Sequence, residues 1–227
     1  ARWIYGRRPT VGLEETAIPR GAVVIMRNAI DTRLFRFDED KRAEIRIEFG
    51  IEPETLLFGN VGRFCPQKNQ GFLIRVFQEI LLQHEDSVLM MAGIGKDMEV
   101  IRARVIAAGI ADKVIFTGQR MDIDKLYSAF DCFILPSNYE GLGMAGIEAQ
   151  CAGTQCLFSD RVPPEVKITF GAQFLPLSAP LRDWAFAAVN LAGIKRQDVS
   201  GDIAAAGYDI NDAAEQLADY YCKKVQL

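Results

Sequence analysis

Apolar residues along the chain fall into short unbroken blocks, with longer stretches between them where they recur every three or four positions. Leu56-Leu57-Phe58, Val88-Leu89-Met90-Met91, Val114-Ile115-Phe116, Cys132-Phe133-Ile134-Leu135 and Cys156-Leu157-Phe158 are the blocks. Runs this short, bounded by Gly, Pro or Ser, predict strands over 56–62, 88–92, 113–117, 131–135 and 155–159, with another over 174–177. Between the first two blocks, Phe72, Leu73, Val76, Phe77, Ile80 and Leu81 share one face of a helix over 69–84. Comparable patterning, with Gly50 as one stop signal, predicts helices over 38–49, 97–108, 122–130, 143–152, 181–191 and 211–224. A shorter helix is expected around Ile203. Strands alternating with helices of these lengths mean parallel strands joined by right-handed crossovers. The fold class read from this is α/β, a Rossmann-like doubly wound parallel sheet.

Such a sheet presents the carboxyl ends of its strands as a ligand-binding edge. After the first strand come Gly62, Arg63 and Lys68, two cations on a loop that leads into a helix N-terminus. That arrangement suits a diphosphate, whose charge needs fixed donors. After the second strand come Gly93 and Gly95, which permit a ligand to approach the backbone. Gly118, Gln119 and Arg120 follow the third, where a flat base could lie. The richest loop follows the fourth strand: Pro136-Ser137-Asn138-Tyr139-Glu140-Gly141-Leu142-Gly143-Met144-Ala145-Gly146-Ile147-Glu148. Glu140 sits in the loop and Glu148 one to two turns into the next helix. Carboxylates accept bonds from sugar or ribose diols. The helix start offers unpaired N–H groups to an anion. No P-loop pattern and no G-x-G-x-x-G fingerprint is present. His84 reads as the end of a helix rather than a base, and Trp184 as packing.

Composition narrows the field. An apolar share of 49% in 227 residues supports a sizeable core. A net charge of −4 argues against nucleic-acid binding. No run of 18 apolar residues occurs, so no spanning helix is expected. No secretory leader pattern opens the sequence, which begins at Ala1 and so says little about a precursor. Cys65, Cys132, Cys151, Cys156 and Cys222 are odd in number and scattered, which fits reduced, mostly buried thiols and a cytoplasmic protein. One His and no Cys-x-x-Cys pair leave a zinc site without ligands. Residues 1–36 differ from the rest. They carry seven Arg against three carboxylates, a local charge of +4. They are expected to be a linker, with a short strand over 22–25, ahead of a domain over 37–227. A loose arm and a basic patch for anionic lipid are the other readings.

With these residues in hand, the chain resembles the C-terminal, donor-binding half of the retaining GT-B glycosyltransferases of family 4. The matches are Gly62-Arg63 with Lys68, the Gly93/Gly95 loop, Val114-x-Phe116-x-Gly118, and Pro136-Ser137 followed by Glu140-x7-Glu148-Ala149. Asn28-Ala29-Ile30-Asp31 resembles the family's N-G-I-D turn, with Ala in place of Gly. The stretch from Glu148 to Gly153, with Ser159-Asp160 and Glu165-Val166, is similar to capsular and exopolysaccharide enzymes of bacteria. The resemblance implies that Arg63 and Lys68 neutralise the leaving diphosphate and that Glu140 touches the donor sugar. Backbone N–H groups of Gly141, Leu142, Gly143, Met144 and Ala145 would bind phosphate. Glu148 would hold the ribose hydroxyls, while Gly62, Gly93 and Gly118 to Arg120 complete the nucleotide site. It also implies a nucleotide-sugar donor, UDP in preference to GDP, with no metal and no other cofactor.

Family members have an acceptor-binding N-terminal domain, whose Gly-rich loop and histidine have no counterpart here. Residues 1–20 look like its tail. The expectation is therefore a chain that binds donor and transfers little or nothing, prone to self-association through the last helix and the open cleft. The longer enzyme is expected at the inner face of the membrane. Two alternatives stay open: a non-catalytic nucleotide-sugar-binding module or subunit that needs a partner chain, and an epimerase or phosphorylase on the same scaffold.

Overall fold

The computed structural model of the chain describes residues 26–225. Six strands, β1 (Leu56–Val61), β2 (Ser87–Ala92), β3 (Val114–Gly118), β4 (Cys132–Leu135), β5 (Gln155–Ser159) and β6 (Ala172–Leu175), form one parallel sheet. Their spatial order is β3-β2-β1-β4-β5-β6. The unbroken apolar blocks have their reason here, because both faces of each central strand are covered. Leu57, Met90, Phe133, Leu135, Cys156 and Phe158 point into one core. Phe58, Leu89, Met91, Cys132, Ile134 and Leu157 point into the other.

The first core is closed by Ile45 of α1 (Glu39–Glu48), Leu126 of α4 (Ile123–Ala129) and Ile147 of α5 (Met144–Cys151). The second is closed by Phe77 of α2 (Gln70–Gln83), Val105 of α3 (Met98–Ala107) and Trp184 of α6 (Leu181–Ala192). The stripe expected on α2 is buried at Phe72, Leu73, Val76, Phe77 and Ile80. Each such side chain contributes about 1.5–3 kcal/mol by leaving water. Trp184 is fully buried, edge-on to Phe72 at 5.2 Å, with its indole N–H donating to the carbonyl of Pro176 at 3.1 Å. Packing is its role, as the sequence implied.

Element ends follow from caps. Asp38 accepts from the N–H groups of Asp40 and Lys41 and starts α1. Gly50, at φ 63, lets the chain turn away after it. His84 caps α2 at its C-terminus, and its Nδ1 lies 3.1 Å from Ser87 Oγ.

Two expectations shift. β6 begins and ends two residues before the 174–177 read from the sequence. Pro176 has no N–H to extend the ladder, and the small buried Ala172 gave no apolar signal. The domain also begins before residue 37. Ile30, 4% exposed, is a core residue, and its backbone pairs with Tyr208 and Ile210. Asp31 closes the turn there by accepting from the N–H groups of Arg33 and Leu34. The segment that Ile30 pairs with follows α7 (Ser200–Ile203) and a wider turn at Ala204–Tyr208, before α8 (Ile210–Val225). The strand expected over 22–25 and the arm over 1–20 lie outside the described residues.

Candidate functional site

The strand order places the site. β1 and β4 are neighbours, yet the chain leaves β1 for a helix on one face and β4 for a helix on the other. Their C-terminal loops therefore diverge and leave a crevice between them. Side chains and backbone fix the width of that crevice. Asn138 N–H donates to the carbonyl of Gln67 at 2.8 Å, and Asn138 Nδ2 to that of Pro66 at 2.7 Å. From the other loop, Asn69 Nδ2 donates to the carbonyl of Pro136 at 3.1 Å.

The glycines of this edge divide by what they face. A Cβ on Gly93 would stand 2.1 Å from the carbonyl oxygen of Gly62, and one on Gly95 2.2 Å from that of Phe64. These two residues let neighbouring loops of the protein approach each other. The sequence reading had them admitting a ligand. Gly62 leaves room for the aliphatic stem of Lys68, which lies across it. Gly118 has open space where a side chain would be.

Lys68 and Glu140 are brought together. Lys68 Nζ lies 2.6 Å from Glu140 Oε1, with the two side chains 15% and 7% exposed. Ser137 Oγ donates to the same oxygen at 2.7 Å, and Gln67 Nε2 lies 3.4 Å from Oε2. Ser137 is itself fixed, since its carbonyl accepts from Ser159 Oγ at 2.6 Å. The sequence reading assigned Lys68 to phosphate and Glu140 to sugar as separate groups, whereas here they form one hydrogen-bonded unit. Arg63 is exposed, and its guanidinium has no partner among the described residues.

Glu148 lies just over one turn into α5 and is largely buried. Its Oε2 accepts from the hydroxyl of Tyr127 at 2.8 Å, and no described residue donates to Oε1. Burial pushes its pKa above the usual carboxylate range, while the Tyr127 hydrogen bond and the charge of Lys68 pull the other way. Lys68 thus acts on both glutamates. Gly143, at φ 86, forms the start of α5, and no side chain caps it. Gly146 N–H bonds back to Gly143. No described acceptor takes the N–H groups of Gly141, Leu142, Gly143, Met144 or Ala145. A helix start with bare N–H groups attracts an anion. Leu142, Met144 and Ala145 pack their side chains on the first core, so their backbone is held in place.

Arg120 is used differently from the expectation that it flanks a base. Its guanidinium spans Glu48 Oε1 and Oε2 at 2.5 and 3.0 Å and Asp122 Oδ2 at 2.7 Å, and it lies over the ring of Phe49. These bonds raise its pKa further and tie the β3 loop to α1. Gln119 beside it is exposed. Tyr127 and Gln67 contact the two glutamates without being singled out in the sequence, and Ser137 appears there only as part of the Pro136-Ser137 match, with no role. Ser137 had a signal, three residues from Glu140 in one loop. Tyr127 had none.

The crevice can therefore seat a ligand with an anionic part, against Lys68, Arg63 and the α5 N-terminus, and a vicinal diol, against Glu148. Comparison with known proteins narrows this. The family model for glycosyl transferases group 1 matches residues 41–169, which span every loop of the crevice. EpsF of Bacillus subtilis (strain 168), named as a glycosyltransferase, is 29% identical over 211 residues, covering 91% of this chain and 55% of the relative. Among solved structures, Anabaena HepE in complex with UDP and glucose superposes with a TM-score of 0.70 at 17% identity. That match covers 88% of this chain and 56% of HepE. The C-terminal domain of LpcC, a glycosyl transferase group 1 protein from Francisella tularensis, matches at TM-score 0.65 and 20% identity. It covers 80% of this chain and all of that domain. The chain spans about half the length of EpsF.

Proposed function

We propose, on the footing that the chain belongs to the glycosyl transferases group 1 family, that it binds the nucleotide diphosphate of a sugar donor and supports transfer of the sugar with retention. The observation that carries this reading is the joint presence, around one crevice, of a bare helix N-terminus, the Lys68–Glu140 pair and a half-free buried carboxylate at Glu148.

In this reading Glu148 Oε1 accepts from the ribose hydroxyls. The N–H groups of Gly141 to Ala145 receive the diphosphate, and Arg63 and Lys68 face its charge. Glu140 meets the hydroxyls of the donor sugar. In the transfer step the bond from the anomeric carbon to the diphosphate oxygen breaks. An acceptor hydroxyl bonds to the same face of that carbon, and its proton passes to the departing diphosphate. Negative charge grows on the diphosphate as the bond opens. Fixed donors that meet growing charge are worth several kcal/mol in such steps, about 2.7–4 for a single well-placed donor. We assign this work to protein cations and backbone, with no metal. Uridine is the favoured nucleotide, a choice supported by HepE, of the same fold and solved with UDP and glucose. These residues do not address the acceptor, so binding is the primary test.

Calorimetric titration of UDP and of GDP in EDTA, against the wild-type chain and Glu148→Ala, checks the reading. Metal-free binding of UDP, weakened by the substitution by about 1–3 kcal/mol, is the expected result. Preference for GDP would change the donor. A requirement for metal would sink the metal-free assignment. No binding of either nucleotide to the folded chain would overturn the proposal.

A further inference from the structure

Tyr127 sits on α4, outside every loop of the crevice, and is fully buried. Its ring is locked by Phe35 at 5.9 Å, Phe130 at 6.1 Å and Phe133 at 5.7 Å, the last two edge-on. Its backbone is locked as well, since its carbonyl accepts from Thr154 Oγ1 at 2.7 Å. A phenylalanine would satisfy that aromatic packing. The hydroxyl adds a polar group that is costly to bury if it lacks a partner. Its partner is Glu148 Oε2, 2.8 Å away.

A glutamate on a helix has three side-chain torsions, and a free one samples many rotamers. Here one carboxylate oxygen is pinned to a side chain that cannot itself move. The other is left without a donor among the described residues. We infer that Tyr127 is a positioning residue: its immobile hydroxyl holds Glu148 Oε2 so that Oε1 is presented, pre-ordered, to the ribose diol of the nucleotide. This rests on the reading of Glu148 given above and extends it to a residue that touches no ligand. Lys68, from the β1–α2 loop, is the charged group that acts on Glu148 from across the crevice, and Cys156 of β5 faces Tyr127.

The test compares UDP with 2′,3′-dideoxy-UDP on the whole chain, by calorimetry in EDTA, for wild type, Tyr127→Phe, Glu148→Gln and the double variant. Wild type should prefer UDP, and Glu148→Gln should abolish that preference. Tyr127→Phe should lose about tenfold in affinity for UDP, the scale of one hydrogen bond to a charged group, and less than about twofold for the dideoxy ligand. The double variant should be no weaker than Glu148→Gln. Both ligands are read on one sample, so partial unfolding of a variant cancels in their ratio. Equal losses for both ligands, or none for either, with Glu148→Gln behaving as expected, would overturn the role of Tyr127 alone. A wild-type chain that binds both ligands alike, or neither, would remove Glu148 from the ribose and this inference with it.

Discussion

At the N-terminal edge of the sheet, Asp131 accepts from Arg42 at 2.7 Å, from Leu57 N–H at 2.7 Å and from Arg46 at 3.5 Å. Arg46 also donates to the carbonyls of Glu52, Pro53 and Thr55, and Arg196 to those of Phe130 and Ala152. At the C-terminal edge, Arg63 has no described partner, Glu148 has one, and the α5 N-terminus is bare. Both edges use arginines and carboxylates. A cavity of about 310 Å³ even lies at the lower edge, lined by Phe37, Arg42, Asp131, Lys195 and Arg196 among others. What separates them is the number of protein partners each charge has, although Arg46 Nε is itself buried without one. Burial draws Arg196 down to about 10, which still leaves it charged at neutral pH, but it faces helix carbonyls that accept from both of its terminal nitrogens. Charges with several protein partners hold the fold together. In the proposed reading, those with few are left for a ligand.

Substitutions at the two edges should therefore separate stability from binding. The largest effect is expected at Asp131→Ala. Removing one member of a buried charge network strands its partners, at a cost of about 3–5 kcal/mol in urea unfolding. UDP affinity of the molecules that remain folded should be unchanged. An intact fold with lost binding would break the comparison. Glu148→Gln is the mirror case. It should weaken UDP by about 1–3 kcal/mol. Because it removes a charge that burial disfavours, thermal unfolding should show equal or slightly higher stability, by up to about 1 kcal/mol. Arg63→Ala comes next. It is exposed, so stability should move by less than about 0.5 kcal/mol. UDP should weaken by about 1 kcal/mol, UMP by less, and added salt should shrink the difference.

The smallest and most diagnostic effect is that of pH. The Glu148 pKa is raised, so UDP affinity should begin to fall, as pH drops, above the range of ordinary carboxylates. Glu148→Gln should lack that limb in a calorimetric pH series. The stability signs are opposite. Glu148 costs stability above its folded pKa and relieves that cost as pH falls. Asp122, whose pKa is lowered first by its hydrogen bond to Arg120, adds stability above its unfolded value and loses it as pH falls through the folded one.

The sheet and most helix limits were legible because a strand buried on both faces must be apolar throughout, and because caps such as Asp38 announce themselves. The loops that carry Arg63, Lys68 and Glu140, and the helix that carries Glu148, were legible because each follows such a strand. Partners were not. Tyr127 is 21 residues from Glu148, and Glu48 is 72 from Arg120. Nothing local marks either pair. The glycines show the same limit. A sequence shows that a Cβ is absent at Gly93, and only the fold shows that the space belongs to the carbonyl of Gly62. Nor could a string of residues tell Arg196, with its several carbonyl partners, from Arg63.

Arg196 has one more consequence. Its guanidinium clasps the end of α4 through Phe130, and the end of α5 through Ala152. Those two helices carry Tyr127 and Glu148. Like a yoke, the arginine holds two bars within about one turn of the residues that must meet through one hydrogen bond. A substitution at position 196 is therefore expected to disturb the Tyr127–Glu148 hydrogen bond, although that side chain lies at the opposite margin of the sheet.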